Sequence, residues 1–334
     1  MRTDRLTSTV PDLPPGYTAR RPSLDDVPAL LAVAEADDEV VLGYTDFAES
    51  DVRETLTGAH VDPALDHWAV ADADGRLVCW GFLADEFGGT QVQLDVYLVR
   101  PHPEEVRRAV AAALLGRLAE RSAARGLRQV EAGAGSVVGD EQFAATLASL
   151  GLTVQRRFNR MRVDLEPGRP FPVPGPGLAL RGFDPSSDED WETFHRVYVA
   201  AFTDHWNFEP MSLEAFRRQV ENSDDPAYER WTLALVDGRP GGVCQASGHL
   251  YSTENAGWVR NLAVLRQHRG RGVGRLLLEH ALAGYAADGR AWAGLGVDTD
   301  NATGALRLYE SVGMRPVFQI DVWTRDLVLD VPAD

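Results

Sequence analysis

Cysteine is scarce in this 334-residue chain: only Cys79 and Cys244 occur, with no C-x-x-C pair and no Cys/His cluster at zinc-site spacing. Two isolated thiols exclude a disulfide framework, argue against a metal enzyme and point to a reducing, cytoplasmic setting. Long apolar runs are missing too, and no stretch approaches the ~20 residues needed to span a bilayer. Met1 to Pro15 is polar and contains proline without an apolar core, so no secretory signal is expected there. Positive charge is in deficit, 33 basic against 50 acidic side chains, for a net charge of −17. That balance makes nucleic acid and anionic membrane surfaces poor partners and suits the approach of a cationic amine.

The length is too great for one typical domain and comfortable for two, each able to bury a core without staples. The segment Glu166 to Gly177, EPGRPFPVPGPG, packs five prolines and three glycines into twelve residues. Such a stretch forms neither helix nor central strand and reads as a semi-rigid linker. The expected division is therefore 1–166, a linker at 167–177, and 178–334. The two halves look like copies. Trp68 and Gly75-Arg76 return as Trp231 and Gly238-Arg239, 163 positions on, and Gly126 returns as Gly289 at the same offset. Gly151, Asp164 and Leu165 return as Gly313, Asp326 and Leu327, 162 positions on. Each half shows the same order of helices, hairpin-like strands, a long helix, a strand, a helix and final strands. That order predicts an α/β (α+β) class with a mixed, mostly antiparallel central sheet flanked by helices.

The richest local signal is Arg269-Gly270-Arg271-Gly272-Val273-Gly274. It stands between a strand-like run, Trp258 to Val264, and a helix-like run in which Leu276, Leu277, Leu278, Ala281, Leu282 and Tyr285 mostly share one face. A glycine-rich strand-to-helix turn lets the backbone approach a ligand, and free N–H groups at a helix start suit phosphate oxygens. Arg266, His268, Arg269, Arg271 and Arg275 crowd the same place. Cations there oppose the helix dipole unless an anion sits among them. The dinucleotide fingerprint fails on register, because Arg275 stands three residues after Gly272, and no Walker A string occurs.

What the segment matches is R-x-x-G-x-G after a strand ending in Val264, which resembles the pyrophosphate loop of the GNAT superfamily of N-acetyltransferases. A second signature follows at the right distance: a strand from Trp292 to Val297, then Asn301, Leu308, Tyr309 and Gly313, with Gly304 where alanine is more usual. The resemblance implies two tandem GNAT-type domains and acetyl-CoA as the coenzyme. It implies that the loop from Arg269 through Gly270, Arg271, Gly272 and Val273 to Gly274 holds the pyrophosphate, and that Leu262, Ala263 and Val264 present backbone N–H groups to the thioester carbonyl. Asn301 would contact the pantetheine or phosphate arm, and Tyr309 would protonate the departing thiolate. Among tandem members the chain most resembles the mycothiol-synthase-like group, which acetylates the amine of a cysteinyl glycoside. Detoxification of other small amines fits the same motifs.

The copies differ at the chemistry. The first half reads Arg100-Pro101-His102-Pro103-Glu104-Glu105-Val106-Arg107 at the loop position, with no glycine, and Leu147 replaces Tyr309. The first half is therefore expected to be catalytically dead and to lack the usual coenzyme site. In the second half the base is the open question. Many relatives carry glutamate on the strand before the loop, whereas this chain has Arg260, which keeps its proton at neutral pH. Upstream, His205 has the natural pKa for a base, and Asp204 or Glu209 could hold an amine. Glu254 and His249 are further candidates, as is a water chain. Transfer of acetyl to a small-molecule primary amine is the expected activity. Its rivals are acyl-CoA sensing without turnover and acetylation of protein N-termini or lysines.

Overall fold

The computed structural model describes residues 9–45, 47–58, 60–85, 89–203, 208, 210–221, 226–248, 250, 254–300 and 304–329. The chain forms two compact units: Met1–Phe158 together with Phe318–Asp334, and Asn159–Val317. The first contains β1 (Thr18–Arg20), α1 (Val27–Val41), α2 (Glu49–Thr57), β2 (His67–Ala71), β3 (Leu77–Ala84), β4 (Gln91–Leu98), α3 (Glu104–Ala124), β5 (Gln129–Val137) and α4 (Glu141–Ser149). The chain continues through β6 (Thr153–Asp164), β7 (Leu178–Gly182), α5 (Asp188–Phe202), α6 (Leu213–Glu221), β8 (Thr232–Val236), β9 (Arg239–Ser247), β10 (Ala256–Val264), α7 (Val273–Ala287), β11 (Trp292–Asp298), α8 (Ala305–Ser311) and β12 (Arg315–Val328).

The mixed, mostly antiparallel sheet expected from the element order is present in each unit. The first runs β1-β2-β3-β4-β5-β12 and the second β7-β8-β9-β10-β11-β6. Only β4–β5 and β10–β11 are parallel pairs among those with described registers. The proline-rich stretch 167–177 contains neither helix nor strand. The compact units nevertheless part at different places from 1–166 and 178–334, because each sheet takes its last strand from the other half of the sequence. β12 pairs with β5 from Ile320↔Val137 to Val328↔Gln129. The second sheet ends on β6, whose residues from Asn159 onward belong to that unit. No spacing rule in a sequence reports such an exchange.

Local chemistry sets the helices. Asp140 caps α4 by accepting the Phe143 N–H at 3.2 Å, and Ser187 caps α5 by accepting the Asp190 N–H at 3.2 Å. The helix-end glycines Gly126 and Gly289 share a left-handed conformation, φ 76° and 74°, which supports the repeat. In the second unit α7 and α5 pack a core containing Leu277, Leu282, Trp191, Phe194 and Trp231. In the first unit α3 and α4 cover one core, with Leu114, Leu118 and Leu147. A second core, with Leu30, Val52, Trp80 and Phe82, lies beneath α1 and α2.

One buried group in the first unit makes stability depend on pH. His67 is fully buried and stacked on Trp80 and Phe82, and burial pushes its pKa down to about 4, with Asp66 pulling the other way. Above the unfolded value of ~6.5 the ring is neutral in both states and its contribution is intact. As pH falls from there to about 4, the unfolded chain takes up a proton that the native ring refuses. Roughly 3 kcal/mol of stability is expected to disappear across that window. Urea unfolding between pH 7 and 4 checks this, and His67→Phe should flatten that part of the profile.

Candidate active site

In the second unit the parallel strands β10 and β11 pair only from Ala256↔Trp292 to Trp258↔Gly294. Beyond Trp258 the two strands continue without that pairing. β10 then keeps β9 as its antiparallel neighbour, so alternate peptide groups of Leu262 to Val264 turn toward the space β11 has vacated. The register to β9 slips between Val259 and Asn261, leaving Arg260 as the extra residue of a β-bulge. Asn261 Nδ2 donates to Gln245 Oε1 at 2.6 Å across this bulge.

β10 leads through a 3-10 turn, Arg266–His268, into the glycine loop and α7. Gly272 is the N-cap, at φ 82°, and Leu276 N–H is the one that bonds back to its carbonyl, at 3.0 Å. The N–H groups of Val273, Gly274 and Arg275 therefore stand ahead of the first turn with no carbonyl behind them. Gly272 has no side chain to cap them. This is an anion cradle built from backbone. A left-handed conformation with open space around it leaves Gly272 both strain-free and unobstructed.

The arginines differ from the sequence expectation, in which their crowding implied an anion. Arg269 donates to the Val264 carbonyl and to the Ala201 carbonyl in the last turn of α5, both at 3.2 Å, so it ties the loop to two elements. Arg271 pairs with Asp237 at 3.0 Å in an exposed ion pair, and Arg275 pairs with Glu279 at 2.8 Å. Much of the local charge is thus compensated within the unit. Gly274 also has a packing role: a Cβ there would come within 3.2 Å of Leu308 Cδ2, so the first turn of α7 lies tight against α8.

That contact links the loop to Tyr309, the residue after Leu308. Its ring is 8% exposed in the core, and its hydroxyl makes no hydrogen bond among the described residues. Burial pushes the hydroxyl up to about 12, with the nearby Cys244 thiol adding to the shift. A phenol in this state holds its proton throughout the neutral range. Arg260 is exposed and near enough to Tyr198 on α5 to oppose the upward shift that burial gives that phenol. It cannot accept a proton. The chain contains no lysine at all, which removes a lysine amine as base.

Glu254 stands before β10, on the order of 20 Å along an extended chain from the bulge, and Arg160 lies 3.8 Å from its carboxylate. It belongs to the far end of the strand, so that expectation is withdrawn. Asp204, His205, Glu209, His249 and Asn301 lie outside the described residues. The bulge at Arg260 and the Asn261–Gln245 bond were not found from the sequence, since a bulge leaves no spacing signature in an apolar strand.

The pattern of the acetyltransferase (GNAT) family matches residues 191–314. A mycothiol acetyltransferase of Kineococcus radiotolerans is 32% identical over 294 residues, covering 86% of this chain and 88% of that one. The chain belongs to the GNAT family of acetyltransferases. A mycothiol acetyltransferase of Thermobispora bispora is 34% identical over 199 residues, 57% of this chain and 62% of that protein's length. Two solved structures share the fold. A GCN5-related N-acetyltransferase from Sphaerobacter thermophilus superposes with TM-score 0.81 at 21% identity, over 96% of this chain and 99% of that chain. A tandem GNAT protein from the clavulanic acid biosynthesis pathway superposes with TM-score 0.67 at 20% identity, over 95% and 100%. This is an acetyl-CoA-dependent N-acetyltransferase with two GNAT units. The uncapped start of α7 and the opened β10–β11 pair fit such a coenzyme: donors for its phosphates and a slot with free peptide groups for its arm.

The first GNAT unit keeps the opened parallel pair and loses the cradle. β4 and β5 pair only from Gln91↔Glu131 to Gln93↔Gly133. Its β3–β4 register is continuous, with no bulge. α3 has 21 residues against 15 in α7, and the two helices end at matching positions ahead of Gly126 and Gly289. The extra residues lie at the start, where the equivalent of the glycine loop has been wound into helix. Arg107 in that first turn is fully buried, 2.8 Å from Asp37, 3.3 Å from Asp140 and 3.6 Å from Glu104. Arg100 lies 2.7 Å from Asp140, and Thr146 donates to Glu104 at 2.9 Å. Protein carboxylates thus pair with the arginines in and just before the first turn of α3.

Proposed function

We propose that the second unit transfers an acetyl group from acetyl-CoA to a primary amine of a small molecule, and that the first unit carries no chemistry. One observation carries this reading. Among the described residues, only the second unit combines a left-handed glycine N-cap, Gly272, with a parallel strand pair that opens after Trp258; the corresponding helix of the first unit starts after Pro103. When bound, acetyl-CoA supplies the acetyl group as a thioester. The N–H groups from Gly270 to Arg275 would hold its pyrophosphate, with Arg271 free to swing from its exposed partner, and Asn301 would meet the arm. Peptide N–H groups of Leu262 to Val264 would hold the carbonyl oxygen, where charge develops in the transition state. Tyr309 would protonate the leaving sulfur. His205 would accept the acceptor's proton, with Asp204 and Glu209 holding the ammonium.

The relatives named mycothiol acetyltransferase make a cysteinyl sugar the first acceptor to test. Thiol release should be followed with cysteinyl sugars, polyamines, aminoglycosides and amino acids. Acceptor-dependent release is expected with at least one class. Tight acetyl-CoA binding with no release from any amine would leave a sensor instead, the reading favoured by Arg260 in place of an acidic base.

The cradle has its own test. Gly272→Asp should raise KM for acetyl-CoA on the order of 100-fold, since it adds an anion where an anion binds and strains a left-handed position. Gly272→Ala adds strain alone, about 1–2 kcal/mol, and should raise KM about tenfold. Initial rates at varied acetyl-CoA measure both. Equal effects of the two variants would refute the electrostatic part.

A further inference from the structure

Between Leu262 and Val264 the backbone N–H groups point alternately toward β9 and away from it, and the surrounding contacts show which point where. Leu265 N–H donates to the Gly241 carbonyl at 3.0 Å, so it faces the β9 side. A Cβ on Gly242 of β9 would come within 3.0 Å of the Ala263 carbonyl oxygen, so Ala263 also turns its backbone to β9. The Val264 carbonyl points the other way and accepts from Arg269 Nε at 3.2 Å. In an antiparallel ladder the N–H and C=O of one residue share a direction, and successive residues alternate. The Ala263 N–H is therefore committed to β9. Those of Leu262 and Val264 face the side from which β11 has parted.

This phase is set upstream, at the bulge. Before it Val259 opposes Ala246; after it Asn261 opposes Gln245, and the register runs unbroken to Val264↔Gly242. Had Arg260 taken a place in the ladder, every later residue would have moved by one. Leu262 would then oppose Val243, and Ala263 would turn its N–H outward in place of its neighbours. What holds the extra residue ahead of Asn261 is the bond from Asn261 Nδ2 to Gln245 Oε1, at 2.6 Å. Gln245 is 4% exposed, and Val243, Cys244 and Ala246 beside it on β9 are buried and apolar. Its side-chain amide has no other hydrogen bond among the described residues. A slide of the bulge past Leu262 would set Asn261 against Cys244 and strip this buried amide of its partner, which is costly.

We propose that Gln245 is a positioning residue for acetyl transfer. Through Asn261 it fixes the bulge and keeps the N–H groups of Leu262 and Val264, not that of Ala263, aimed at the thioester carbonyl. The assignment rests on the reading that these peptide groups hold that oxygen. Negative charge develops on the oxygen only as the transition state forms, so a misplaced donor lowers kcat more than it weakens coenzyme binding. The pyrophosphate is held past the end of β10, at the glycine loop.

Amide hydrogen exchange on the full-length protein tests this without any acceptor. In the wild type Ala263 should exchange at least about tenfold more slowly than Leu262 and Val264, and acetyl-CoA should slow the latter pair. Gln245→Met keeps the volume and removes the amide, so the difference between Ala263 and Leu262 should shrink to within about threefold. With an amine found by the acceptor screen, its kcat should fall about 10- to 100-fold while KM for acetyl-CoA stays within about twofold. Asn261→Ala, at a half-buried position, should reproduce both changes and guards against misfolding of the buried variant. The reversed pair, Gln245→Asn with Asn261→Gln, restores an amide bond across the strands and should recover most of kcat. An unchanged exchange pattern or an unchanged kcat in Gln245→Met would overturn the proposal. A loss of acetyl-CoA affinity as large as the loss of kcat would make Gln245 merely structural. Leu262 and Val264 amides that exchange as fast with acetyl-CoA bound would instead remove the carbonyl reading itself, and the positioning role with it.

Discussion

Tyr309→Phe is expected to lower kcat for acetyl transfer about 100-fold or more, while KM for acetyl-CoA stays within about twofold. The ring is packed in the core of the second unit, and phenylalanine preserves that packing, so the melting temperature should hold. What is lost is one proton donor. The Tyr309 hydroxyl is held up to about 12 by burial, so it is protonated at every working pH. It should therefore add no alkaline limb to the wild-type pH–rate profile below about 11. The measurement is thiol release under saturating acceptor, with single-turnover rates to separate chemistry from product release. A variant with unchanged kcat would remove Tyr309 from the mechanism and leave solvent as the proton source.

Arg107→Met should destabilise the first unit by about 3–5 kcal/mol, the usual consequence of breaking a buried ion network from one side. Arg107 is fully buried and is the nearest cation to Asp37, at 2.8 Å. Without it, Asp37 and Asp140 share only Arg100, 3.7 Å and 2.7 Å away. Burial already raises the pKa of Asp37 against the pull of both arginines, so the carboxyl would take up a proton more readily in the variant. Denaturant unfolding followed by tryptophan fluorescence measures the loss. Adding Asp37→Leu and Asp140→Asn should recover a large share, because matched apolar or neutral groups avoid the desolvation cost. At temperatures where the variant stays folded, kcat should be unaltered if the chemistry resides in the second unit.

The glycine loop, the helix after it and the repeat were legible because each rests on local rules. A left-handed N-cap demands glycine at Gly272, apolar spacing demands a helix from Val273, and matched helix-end glycines sit at one offset. The roles of the arginines were not legible. Arg269 reads in sequence as a phosphate ligand, yet its carbonyl partners come from Val264 and from Ala201. Only the fold brings Ala201 near, across 68 residues of chain. The bulge at Arg260 was hidden because one inserted residue in an apolar strand changes no residue type. The ion network around Arg107 was hidden in the same way, since Asp37, Arg107 and Asp140 sit on three separate helices or caps.

The strand exchange has a consequence for how the molecule is made. The ribosome delivers the first unit's strands β1 to β5 early, and that unit lacks its sixth strand until Phe318 to Val328 emerge. The second unit, by contrast, is covalently complete at Val317. The half translated first must wait with β5 unpaired on one edge while the half translated later closes its own sheet. An exposed strand edge is a template for unwanted pairing. Truncation by even a dozen C-terminal residues should therefore harm the distant N-terminal unit before it harms the unit that lies next to the cut in sequence.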